Sequence, residues 1–177
     1  MFTVNYELKL KSTTGQLNLE GYCDADWAGD TTDRKSCSGF LFRLGGATIC
    51  WGSRKQSCVT TSTMEAEYVS LSEAAQEAVW LRRLLEEFDA KQNQPTVIYE
   101  DNKSCLDFIA LDQQKKRSKH IDTRFHYTKD LCLNKILKQK FCPSNKMLAD
   151  LLTKPLGSVK MKQFTSEIGL RSSMDGM

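Results

Sequence analysis

Apolar and polar positions alternate through Leu17-Asn-Leu-Glu-Gly-Tyr-Cys-Asp24, the period of a strand with one buried face, and the pattern ends in a turn at Asp26-Trp-Ala-Gly-Asp30. Residues 38–44 and 47–51 repeat the apolar pattern on either side of Gly45-Gly46. That spacing predicts a β-hairpin whose two-residue turn needs positive φ. The period then changes. Met64, Tyr68, Leu71, Ala75, Ala78 and Leu85 recur at helical spacing, so a helix is expected up to about Phe88. Ser62-Thr-Met-Glu65 is a capping box and should start it.

Beyond Pro95, residues 96–99 read as a short buried strand. Because it follows a helix, it should run parallel to the first strand. Residues 102–110 suit a short helix, 113–118 a polar loop, 120–134 a further helix and 136–141 a fifth strand stopped by Cys142-Pro143-Ser144. Ser144 or Asn145 is then expected to cap a helix that ends before Pro155, with Asp150 five or six residues inside it. Residues 172–177 look like a frayed tail. The expected architecture is a mixed α/β domain, three antiparallel strands followed by parallel ones.

A length of 177 residues suits one domain with a real core. With 40% hydrophobic and 27% charged residues the chain reads as globular rather than disordered. No apolar run approaches the roughly 18 residues that a membrane span needs, so no membrane partner is expected. The N-terminus lacks the basic-then-apolar order of a secretory signal. Seven cysteines, odd in number and never spaced Cys-x-x-Cys, argue against structural zinc and a full disulfide framework. Reduced thiols point to an intracellular protein, cytoplasmic or nuclear. The net charge of +3 hides an asymmetry: residues 113–147 hold ten Lys and Arg against two Asp. A basic third of this kind is by itself a solvated helix face, but beside an acidic cluster it suggests a polyanion.

Four acids provide that cluster. Asp24 closes the first strand, Glu67 lies in the first turns of the long helix, Asp101 follows the strand at 96–99, and Asp150 sits among leucines near the end. A carboxylate costs several kcal/mol to bury unless it is paired or holds a metal. Convergent oxygen donors suit hard divalent cations. Asp26, two residues from Asp24, shares its face if the strand continues and is the reserve candidate. Glu65 and Glu67 point in nearly opposite directions on a helix, and Glu65 already serves the capping box, which favours Glu67. Four acids in one pocket suit two Mg²⁺ ions about 3.5–4 Å apart, with Mn²⁺ able to substitute, the arrangement that drives phosphodiester hydrolysis without a nucleophilic side chain. No Ser-His-Asp or Cys-His pairing and no Gly-x-x-x-x-Gly-Lys loop offers another chemistry, and no small-molecule cofactor is expected.

The stretches Tyr22-Cys-Asp-Ala-Asp-Trp-Ala-Gly-Asp30, Asp33-Arg-Lys-Ser-Cys-Ser-Gly39, Trp51-Gly-Ser-Arg-Lys-Gln56, Ser62-Thr-Met-Glu-Ala-Glu-Tyr68, Tyr99-Glu-Asp-Asn102, Lys119-His-Ile-Asp122 and Ala149-Asp-Leu-Leu-Thr-Lys-Pro-Leu156 together resemble the ribonuclease H domain of copia-type retrotransposon Pol polyproteins. The resemblance covers roughly residues 4 to 170. It implies a ribonuclease H-like fold, a five-stranded mixed sheet flanked by helices, and Mg²⁺-dependent cleavage of the RNA strand of an RNA–DNA hybrid during reverse transcription. It also implies that Asp24, Glu67, Asp101 and Asp150 are the catalytic, metal-binding acids and that a reverse transcriptase domain is a partner. On this reading residues 1–16 are the remnant of a segment following a polymerase, 17–156 the ribonuclease H-like domain, and 157–177 a C-terminal helix and tail.

Many cellular ribonucleases H carry a histidine in the loop before the last aspartate, whereas Cys142-Pro-Ser-Asn145 has none. His120 and His126 fall on a predicted helix well upstream and stay outside the core site. Lys115, Lys116, Arg117 and Lys119 are candidate phosphate contacts, against a reading as a solvated loop or nuclear-localisation-like patch. Two other functions compete: a non-catalytic nucleic-acid-binding scaffold left by a degenerate retroelement, and an integrase-type nuclease. The latter does not account for an acid on the first long helix.

Overall fold

The computed structural model describes residues 6–10, 17–110 and 119–172. In chain order the strands are β1 (Tyr6–Leu8), β2 (Leu19–Asp26), β3 (Cys37–Leu44), β4 (Ala47–Lys55), β5 (Thr96–Glu100), β6 (Leu137–Phe141) and β7 (Leu170–Ser172). The helices are α1 (Thr63–Glu87), α2 (Lys103–Ala110), α3 (Lys119–Leu133), α4 (Asp150–Thr153) and α5 (Ser158–Glu167). Five strands make one sheet in the order β4-β3-β2-β5-β6, antiparallel from β4 to β2 and parallel from β2 to β6. This is the mixed sheet expected from the sequence. A separate antiparallel ribbon joins β1 to β7, an element the periodicity did not announce.

Local chemistry explains most of the boundaries. Gly45 and Gly46 adopt φ of 56° and 87°, a region costly for residues with a Cβ, and Leu44 pairs with Ala47 across them. Ser62 accepts a hydrogen bond from the Glu65 amide and starts α1 where the capping box predicts. The Glu65 carboxylate reaches one residue further back than the motif's usual partner, accepting from the amide and hydroxyl of Thr61. Asn102 caps α2 through the Cys105 amide.

The two faces of the sheet bury different elements because side chains alternate along a strand. Cys23, Phe40, Phe42 and Ile98 face α1, which lays Tyr68, Leu71, Ala74, Ala75, Ala78 and Leu81 over them. Burial contributes about 1.5–3 kcal/mol for each large apolar side chain here. On the opposite face Tyr22 and Leu41 meet Leu148, Leu151, Leu152 and Phe164 from the C-terminal segment. No helix among the described residues is long and apolar enough to cross a membrane.

One expected element is corrected. Residues 144–154 do not form a continuous helix: a 3₁₀ turn at Ser144–Lys146 is followed by extended backbone at Met147, and α4 begins only at Asp150. Asp150 is therefore the first residue of a four-residue helix rather than an interior one. The cause is the run Met147-Leu148-Ala149, three consecutive buried residues. On a continuous helix they would spread over about 200° of arc. Broken, the segment directs Leu148 toward Leu41 and Phe164, and Met147 and Ala149 toward Cys142. The expected loop at 113–118 and most of the frayed tail lie outside the described residues.

Candidate metal centre

Asp24 lies near the end of β2 and Asp101 directly after β5, and these neighbouring parallel strands carry both acids to the same end of the sheet. Glu67 comes from the second turn of α1, which packs on the sheet face beside them. One carboxylate oxygen from each of Asp24, Glu67 and Asp101 lies within 4.8 Å of the others. Asp24 and Glu67 are buried and Asp101 is half-buried. Among the described residues Glu67 Oε2 has no hydrogen-bond partner.

The alternatives within each pair separate cleanly. β2 continues through Asp26, but the Asp26 carboxylate sits where a Cβ on Gly29 would be, 2.1 Å from its ideal position, so it is folded back on the turn. Glu65 is committed to Thr61.

Asp150 is also buried, yet it stands apart from the trio, held by cations of this chain. Lys154 Nζ lies 2.9 Å from Asp150 Oδ1 and 3.2 Å from Asp24 Oδ1, and Lys160 pairs with Asp150 Oδ2. The Thr153 hydroxyl donates to Asp24 Oδ2. Pro155 explains this placement: it drives the preceding residue out of helical space, and Lys154 is extended at φ −142° and ψ 153°, ending α4. Lys160 is also stacked over Phe164, 5.1 Å from the ring centroid.

Two further groups support the trio. Ser144, in the turn after β6, donates to Asp101 Oδ2 at 2.6 Å. Glu100 is fully buried behind the site, accepting from the Asn102 amide at 3.0 Å and from the Cys23 thiol at 3.3 Å. Burial, with Glu100, Asp24 and Asp101 close by, pushes the Glu67 carboxyl up to about 10. Burial likewise raises Glu100 to about 8 and lifts Asp24 above its ordinary range, although Thr153 and Lys154 oppose the shift at Asp24. For Lys154 burial acts downward, but the carboxylates of Asp150 and Asp24 outweigh it and hold the ammonium charged. Such an accumulation of half-neutralised acid is what a divalent cation relieves, and the donors are hard oxygens of the kind Mg²⁺ and Mn²⁺ take.

Sequence reasoning passed over Ser144, Thr153, Lys154, Lys160 and Glu100. Lys154 alone had a readable signal, its i,i+4 spacing from Asp150. Among the candidate phosphate contacts, Lys115, Lys116 and Arg117 lie outside the described residues, and Lys119 is the first residue of α3. His120 and His126 both fall within α3.

No family model matches the chain. It is 38% identical over 155 residues to the retrovirus-related Pol polyprotein from transposon TNT 1-94 of Nicotiana tabacum, covering 88% of this chain and 12% of that protein. It is 38% identical over 154 residues to the Pol polyprotein from transposon RE2 of Arabidopsis thaliana, covering 87% of this chain and 11% of that one. The chain thus spans about a tenth of the length of these relatives. The structure of LC11-RNase H1 in complex with an RNA/DNA hybrid superposes with a TM-score of 0.57 at 16% identity, covering 77% of this chain and 94% of that one. The fold is the ribonuclease H fold. These two homologues of the chain are retrovirus-related Pol polyproteins of copia-type plant transposons.

Proposed function

We propose that the chain is an endonuclease that hydrolyses the RNA strand of RNA–DNA hybrids with divalent cations, acting in reverse transcription beside a polymerase domain. The observation that carries this reading is the convergence of the Asp24, Glu67 and Asp101 carboxylates within 4.8 Å at one end of the sheet of a ribonuclease H fold. The similar LC11-RNase H1 is seen with an RNA/DNA hybrid, and the homologous polyproteins come from retrovirus-related transposons.

Asp24, Glu67 and Asp101 would hold Mg²⁺ or Mn²⁺, with Asp150 completing the set for a second ion. Bound there, such cations supply an activated water at neutral pH and stabilise the departing oxygen. The protein's share is positional. Ser144 fixes one oxygen of Asp101 and Thr153 fixes one of Asp24, and Glu67 would hold the cation through its carboxylate. Recognition of the hybrid would run through phosphates and minor-groove 2′-hydroxyls, with little sequence preference.

The test is cleavage of an end-labelled RNA–DNA hybrid by the purified chain, with Mg²⁺ or with EDTA, beside RNA and DNA duplexes. Metal-dependent cutting of the hybrid's RNA strand alone supports the reading. Tight hybrid binding without cutting, in the isolated chain and again when it is joined to a polymerase domain, would leave a scaffold instead.

A further inference from the structure

The four acids do not form one uniform cluster. Asp24, Glu67 and Asp101 face one another, whereas Asp24 and Asp150 are joined through the ammonium of Lys154. Asp24 is the shared member. Its Oδ2 is held by the Thr153 hydroxyl and its Oδ1 by Lys154, so any cation taking Asp24 and Asp150 together must contend with the ammonium already on Oδ1. Fully ionised, the four carboxylates carry four negative charges. Lys154 and Lys160 offset two of them, and one divalent ion at the trio neutralises the rest. Lys154 is only partly enclosed, with 35% of its side chain exposed, and its stem has the freedom to swing outward.

We propose, on the reading of these acids as a divalent-cation site, that Lys154 is a positioning residue that stands in for the second cation and sets the order of loading. With Lys154 between Asp24 and Asp150 the trio takes one divalent ion. A second enters only as Lys154 leaves. Lys160 remains on Asp150 Oδ2 and keeps that carboxylate paired when Lys154 departs. The lysine thus aligns Asp24 and Asp150 before loading and makes the second ion's affinity depend on a side-chain exchange.

Mn²⁺ titration by calorimetry, with parallel thermal melts in EDTA and in saturating Mn²⁺, tests this in the wild-type chain, Lys154→Gln and Lys154→Arg. Wild type should bind one Mn²⁺ well and a second weakly. Lys154→Gln should bind the second about tenfold more tightly, within the usual range of coupling between sites, with the first little changed. Its EDTA melting temperature should fall, because Asp24 and Asp150 lose their shared cation, and its rise on Mn²⁺ addition should exceed that of wild type. Lys154→Arg keeps a charge between the acids and should keep the weak second site. Equal second-ion affinity in all three proteins, or equal Mn²⁺-induced stabilisation, overturns the role of Lys154 while leaving the trio as a cation site. Absence of Mn²⁺ binding in every protein overturns the metal site itself and this proposal with it.

Discussion

The hydroxyl of Ser70, one turn after Glu67 on α1, donates to the backbone carbonyl of Asp24 at 2.8 Å and lies 3.3 Å from that of Gly39. Residues three apart on a helix share a face, so this bond sets the depth at which α1 presents Glu67 to the strand that holds Asp24. Ser70→Ala leaves a buried carbonyl without this donor, at a cost of about 1–3 kcal/mol. The melting temperature should fall by roughly 2–4 °C for each kcal/mol in a chain of this size. Divalent-cation affinity should weaken in parallel. A melting loss with unchanged affinity would separate Ser70 from the site.

Asp24→Asn and Asp101→Asn keep shape and remove charge. Each should lower hybrid hydrolysis by at least about 10²-fold, the scale of losing one preorganised electrostatic group, while circular dichroism stays native. Retained hydrolysis in either variant would move the site elsewhere.

Glu67 and Glu65 should behave oppositely. The Glu67 carboxyl, pushed up to about 10 from an ordinary 4.5, stays protonated in the folded, metal-free chain at neutral pH, whereas the unfolded chain ionises it near 4.5. The stability it permits is therefore full below about 4.5 and declines as pH rises toward 10. Glu67→Gln should melt above wild type in EDTA near pH 8, lose that advantage near pH 4, and be inactive. A pH-independent gap would contradict the assignment. Glu65→Ala should cost about 1 kcal/mol through its capping contacts and leave hydrolysis near normal.

Gly39 is needed for closeness rather than for backbone freedom. A Cβ there would lie 2.6 Å from Thr153 Cγ2, 2.9 Å from Leu152 Cβ and 3.2 Å from the Ala149 carbonyl oxygen. Gly39→Ala should push the 149–153 segment off the sheet at a cost of about 1–3 kcal/mol. Because Thr153 and Lys154 then lose their grip on Asp24, hydrolysis should fall up to about 10²-fold. Native melting and activity in this variant would show that the segment tolerates the shift.

Much of this was legible in the residues. The glycine pair, the Ser62 cap and the apolar period of α1 are local signals, and each produced its element. Asp24 and Asp101 could be brought together because two strands joined through a helix run parallel. Asp150 was harder. Its surroundings depend on where Met147, Leu148 and Ala149 find pockets, and those pockets belong to β3, α5 and the loop after β6. The contacts of Ser144 with Asp101 and Thr153 with Asp24 join residues 43 and 129 positions apart, and no periodicity reports such meetings. The β1–β7 ribbon was missed because three-residue strands are too short to display a period.

The docking of the 149–154 segment against β2 and β3 also has a consequence for the order of folding. The sheet from β2 to β5 and α1 can form from residues 19–100 and would already juxtapose Asp24 and Glu67, with Asp101 next in the chain. The Asp24–Lys154 pair spans 130 positions and cannot form until residues 150–154 have been made. Contacts of such separation close late. A chain halted before α4 would therefore expose the acidic trio without the lysine that restrains it, making the C-terminal segment the step that completes the charge balance of the nascent domain.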